Sequence, residues 1–184
     1  MIRVIFLALA LRVTLLAQLP PILYDWIIPD QIRKCLANGS KRAKTQLRPN
    51  LESNPFYLRG DFDGDGQMDL AVAVRGQGEE EIGVVVCAGS LNITVLGSIA
   101  KGVLFSDVPG DRIMSLGWCV LRKAEILDIL ASNNPRRHDS IRRKIPAIRG
   151  EMIFFPAEDG MGMIYFLDGR YRWYTINSVM LPQK

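Results

Sequence analysis

The sequence predicts a mainly β fold with one or two short helices: a compact single-domain antiparallel sheet or sandwich, not a full propeller. Three observations point there. Short apolar, β-branched runs recur along the chain, separated by glycines and charged turns. An Asp-Gly pair at 168–169 sits between two alternating segments, the strongest short-range hairpin signal. The 184 residues are 48% apolar and 23% charged, which suits one well-buried domain and excludes a disordered chain.

The elements follow in order. Residues 1–17, MIRVIFLALALRVTLLA, have a basic start at Arg3, an apolar run over 4–11 and a small residue at Ala17. That is the layout of a secretory signal peptide, so the protein is expected to be exported, periplasmic or extracellular. Arg12 breaks the roughly 20-residue apolar length that a membrane span needs, and the mature chain is expected to have none. Residues 18–53 read as an N-terminal segment and linker. Within it a short helix is expected over 30–37, with Asp30 as N-cap and Gly39 beyond its end. Lys41, Arg42, Lys44 and Arg48 then mark a solvated basic stretch, and the β-rich domain is expected to occupy 54–184.

Strands are expected at FYL (56–58), LAVAV (70–74), IGVVVCA (82–88), NITVLG (92–97) and WCVL (118–121). QGEEE (77–81) reads as a hairpin loop with its acids in solvent. A helix is expected at 122–132, with Ile126, Leu127 and Leu130 on one face. Strands return at EMIFFPA (151–157), GMIYFL (162–167) and RYRWYTI (170–176). A two-residue Asp-Gly turn pairs Leu167 with Arg170, Phe166 with Tyr171, Tyr165 with Arg172 and Ile164 with Trp173. One face then carries Ile164, Phe166, Tyr171 and Trp173, an apolar set fit for a core. The other carries Tyr165, Arg170, Arg172 and Tyr174, where arginine can lie over tyrosine.

The stretch YLRGDFDGDGQMDLAVAV (57–74) carries the chemistry. Asp61, Asp63, Asp65 and Asp69 take positions 1, 3, 5 and 9 of a loop. At an effective dielectric near 20, two carboxylates about 4–5 Å apart repel by roughly 3–4 kcal/mol, so the loop invites a cation. Calcium accepts six to eight oxygen ligands in flexible geometry, whereas magnesium demands a near-octahedral shell. The expected ligands are the carboxylates of Asp61, Asp63, Asp65 and Asp69 and the backbone carbonyl of Gln67. Gly66 occupies the sharp turn, and Phe62 and Met68 are expected to point away into packing. An EF-hand is excluded, because its twelfth position is Val72.

Strand–DxDGDGxxD–strand resembles the calcium loop of FG-GAP/VCBS-type repeats, the propeller modules of integrin α chains and of many bacterial surface proteins. The match spans 59–72, RGDFDGDGQMDLAV. The resemblance implies calcium held for structural reasons. The chain has one such loop and no internal repeat, so a propeller of four or more blades is excluded. A looser resemblance, over 56–75 and 150–174, is to small exported bacterial proteins that pair one loop of this kind with a terminal hairpin; it implies no activity.

Other chemistry is thinly represented. Cys35, Cys87 and Cys119 match no metal pattern. In an oxidising compartment one pair can close, and spacing does not select which. Buried thiols within strands are the expectation for Cys87 and Cys119, and an exposed one for Cys35. His138 is the sole histidine and reads as a solvated loop residue beside arginines; no G-x-S-x-G elbow supports a triad with Ser140 or Ser115. Glu151, Glu158 and Asp159 supply carboxylates without a diagnostic pattern. Arg136, Arg137, Arg142, Arg143, Lys144 and Arg149 form a basic segment that suits a polyanion. A net charge of +4 is too small to imply a nucleic-acid protein. The expected function is therefore non-enzymatic: one structural calcium ion, and a protein or glycan partner outside the cell or at the envelope. A carboxylate-dependent hydrolase and a polyanion-binding module over 136–149 are the alternatives.

Overall fold

A computed structural model describes residues 28–78, 81–89, 92–100, 117–132, 138–157 and 160–176. The chain divides into a short unit, 1–33, and a larger one, 34–184. Residues 1–17, Ser115, Arg136, Arg137, Glu158 and Asp159 lie outside the described residues.

The fold is mainly β: the described residues form two antiparallel sheets and three α-helices. In the first sheet β1 (Arg48–Pro49) and β2 (Tyr57–Gly60) both pair with one edge of β3 (Asp69–Arg75). The sheet continues through β4 (Ile82–Ala88) and β5 (Asn92–Gly97). The second sheet runs in order β6 (Cys119–Leu121), β7 (Met152–Ala157), β8 (Gly160–Leu167) and β9 (Arg170–Ile176). The predicted hairpin register holds residue for residue from Leu167↔Arg170 to Ile164↔Trp173. Asp168 and Gly169 have φ of 53° and 76°, the positive values that a tight turn matched to strand twist requires.

Period-two alternation places one face of each sheet against the other. Leu58, Ala71, Ala73, Val84, Val86 and Leu96 of the first meet Trp118, Ile153, Phe155, Ile164 and Tyr171 from the second. Apolar burial of this kind supplies about 25 cal/mol per Å² removed from water.

The opposite faces are buried too, and here expectations change. On the first sheet, Val85 and Cys87 lie beneath the 34–43 stretch of α1 (Asp30–Ala43), and Cys35 of that helix is disulfide-bonded to Cys87. Cys35 is thus buried, at 4% exposure, and it is Cys119 that is exposed and free, against both expectations. The helix also runs past Gly39, where it was expected to have ended. A Cβ on Gly39 would lie 3.0 and 3.1 Å from the two Val85 methyls, so this glycine permits close approach of helix to sheet. Termination falls instead near Lys44, with φ of 56°. Arg48–Pro49, expected in a solvated stretch, pair with Arg75 and Val74.

On the second sheet, Met152, Phe154, Met163, Tyr165 and Ile176 pack under α2 (Lys123–Ser132), α3 (Asp139–Arg142) and a 3-10 turn at Ile145–Ala147. Tyr165 is therefore a core residue, and Arg172 pairs with Asp168 at 3.1 Å. Within α2, Ile126 and Leu130 are fully buried one turn apart, whereas Leu127 is 36% exposed and lies off their face. The Glu125 carboxylate accepts the Arg122 N–H at 2.7 Å and caps the first turn. Glu81 likewise turns inward, accepting the N–H groups of Gln77 and Gly78 rather than facing solvent alone.

Among the described residues no helix is long and apolar enough to cross a membrane.

Candidate metal centre

The loop from Asp61 to Asp69 joins β2 to β3, closing a hairpin whose last pair is Gly60↔Asp69. Its carboxylates organise the turn. Asp61 accepts the Gly64 N–H on Oδ1 at 2.7 Å and the Gly66 N–H on Oδ2 at 3.1 Å. Asp63 Oδ1 accepts from Asp65 N–H at 3.1 Å, and Asp65 Oδ1 accepts from Gln67 N–H at 2.7 Å. The two glycines take φ of 77° (Gly64) and 85° (Gly66), the left-handed turn that a side chain would resist.

This folding draws Asp61, Asp63 and Asp65 together: one carboxylate oxygen from each lies within 4.8 Å of the others. Asp61 and Asp63 are half-buried and Asp65 is exposed. A carboxylate has about four lone-pair sites, so the N–H bonds aim these groups and leave capacity for a cation. Burial, with the charges of Asp65 and Asp61 adding to it, raises the Asp63 carboxyl above its ordinary range.

Asp69 lies deeper, with no exposed surface. Its Oδ2 accepts the Phe62 N–H at 2.8 Å, and its Oδ1 is buried with no hydrogen-bond partner. Desolvation chiefly, aided by the charges of Asp63 and Asp65, pushes this carboxyl up to about 6. Gln67 reaches Asp65 through its N–H and its side-chain amide, the latter at 3.2 Å. Phe62 packs in the inter-sheet core as expected, but Met68 is 70% exposed. The strand begins only at Asp69, so Met68 has no sheet partner to pack on.

The loop also has a seat that spacing did not reveal. Asp61 and Glu151 exchange backbone-centred bonds: Glu151 N–H to the Asp61 carbonyl at 2.6 Å, and Asp61 N–H to Glu151 Oε2 at 3.1 Å. A Cβ on Gly64 would lie 2.2 Å from Arg149 Cβ, and one on Gly150 would lie 2.4 Å from the Asp61 carbonyl oxygen. Only glycines allow two backbones to approach so closely. Tyr171 of β9 is a second addition. Burial first, then the charges of Asp69, Asp63, Asp61 and Asp65, raise its phenol far above the usual value. Its hydroxyl is buried without a partner.

The remaining candidates lie elsewhere. His138 is not solvated: it is 1% exposed and its Nδ1 meets the Tyr174 hydroxyl at 2.9 Å. The described part of the basic segment is helical turns that bury Ile141, Ile145 and Ile148. Asp139, Arg142 and Arg143 line an open hollow of about 440 Å³ on its surface.

Comparison with protein families, with curated proteins and with solved structures finds no match to this chain.

Proposed function

We propose that the protein is an exported, non-enzymatic β-rich protein that holds one calcium ion structurally in its FG-GAP/VCBS-like loop. Asp61, Asp63, Asp65, the Gln67 carbonyl and Asp69 would hold the ion, and its partner would be a protein or glycan at the envelope or outside the cell. The observation that carries this reading is the convergence of three aspartates within 4.8 Å in a loop that ends on a fourth, fully buried carboxylate whose Oδ1 has no hydrogen-bond partner. An unsatisfied buried acceptor costs on the order of 1–3 kcal/mol, and more when charged. A hard cation relieves that cost together with the mutual repulsion of the cluster. The all-oxygen donor set, with an exposed rim that waters can complete, suits calcium over softer metals. Export is supported by the Cys35–Cys87 disulfide, a bond that persists in oxidising compartments.

Thermal melts with calcium and with chelator test the reading. Calcium at 100 times its dissociation constant adds about 2.7 kcal/mol to stability. The chelated protein is expected to melt several degrees lower, and Asp65→Ala to abolish the difference. Superimposed wild-type melts would remove the calcium assignment and return the aspartates to the hydrolase alternative.

A further inference from the structure

Two buried polar atoms face each other's side of the inter-sheet space without partners. Asp69 lies on the same face of β3 as Ala71 and Ala73, which look toward the second sheet. Tyr171 lies on the same face of β9 as Trp173, which looks toward the first. Phe62, from within the aspartate loop, packs in the same core cluster as Tyr171. The Tyr171 ring is fixed edge-on against Phe166 at a centroid distance of 4.9 Å, so its hydroxyl has a defined direction. Asp69 Oδ1 and the Tyr171 hydroxyl are each buried and unpaired, at 0% and 4% residue exposure. Buried polar groups left open in this way are ordinarily satisfied by ordered water.

We propose that Tyr171 belongs to the cation site, completing it from the opposite sheet through one ordered water held between its hydroxyl and the ion-ligating Asp69. This rests on the calcium reading above and extends it beyond the loop. Asp69 Oδ1 has two lone pairs, one for the ion and one for a proton of the water, and the phenol O–H donates to the water oxygen. With the Glu151–Asp61 exchange, the loop would then be tied to the second sheet at two places: the start of β7 and the start of β9. Tyr171 is a positioning residue here, acting on the ion through the water and Asp69.

Calcium titration calorimetry of wild type and Tyr171→Phe tests this, paired with near-ultraviolet difference spectra with and without calcium. Removing an outer partner of a metal site typically costs 10–100-fold in affinity. Tyr171→Phe is therefore expected to weaken calcium binding about tenfold or more while its calcium-free melt stays close to that of wild type. Calcium is expected to give wild type a tyrosine difference band that the variant lacks. Equal affinities, with the same difference spectrum in both proteins, would overturn the role of Tyr171 and leave the calcium site standing. No binding heat and no difference spectrum in wild type would overturn both. The chain has five tyrosines, so the band is assigned to Tyr171 by its loss in Tyr171→Phe, and the variant's calcium-free melt shows that it is folded.

Discussion

The covalent tie between Cys35 and Cys87 closes a loop of 52 residues, from α1 to the buried face of β4. In the chain-entropy model a loop of that length removes about 4 kcal/mol of conformational freedom from the unfolded state at 25 °C. For a domain of 150–250 residues each kcal/mol moves the melting temperature by about 2–4 °C, so cutting the bond is expected to lower it by roughly 8–16 °C. Cys35→Ala/Cys87→Ala adds a packing loss, because both side chains are buried. The assay is urea unfolding of protein from an oxidising compartment, with and without reductant, alongside thiol alkylation in denaturant. Without reductant one thiol is expected to react, that of Cys119; with reductant all three should. Three reactive thiols without reductant would show that the bond is absent. Coincident urea midpoints would show that α1 is held by packing alone and that the entropic reasoning is wrong here.

Two further perturbations follow from close contacts and charge. A Cβ on Gly162 would lie 2.0 Å from the Trp173 ring, so Gly162→Ala is expected to cost about 1–3 kcal/mol in a urea titration. The Asp69 carboxyl, raised by burial to about 6, makes the calcium-free protein's stability pH-dependent. Because the folded value lies above the unfolded one, this contribution is present in full below about 3.8 and is lost as pH rises through about 6. Urea midpoints of calcium-free protein are thus expected to fall between pH 5 and pH 7.5 by more in wild type than in Asp69→Asn, and equal shifts in the two would contradict it.

Local signals were legible in the sequence because they act locally. The Asp168-Gly169 turn fixes its own register, and the apolar β-branched run IGVVVCA and the alternation in RYRWYTI mark strands whatever they pack against. The carboxylate spacing from Asp61 to Asp69 is readable for the same reason. What was illegible depends on distant partners. Gly39 reads as a helix stop from its neighbours and is a close-approach residue only because Val85 lies opposite. The face bearing Tyr165 and Arg172 alternates like a solvated one, yet α2, α3 and the 3-10 turn cover it. His138 among arginines looks exposed until Tyr174 is placed beside it. No periodicity marks Glu151 or Tyr171 as neighbours of the aspartates.

The seat of the aspartate loop has a consequence for the order of folding. Asp61 and Glu151 are 90 residues apart, and their two hydrogen bonds form only when the chain has closed that separation. Contacts of such range come late, since the entropy of closing the loop must be met before they give any return. A nascent chain therefore displays its four aspartates well before it has the backbone at 149–151 to lay them on. On the proposed calcium reading, an ion bound to the fully seated loop would mark that the chain has closed this separation.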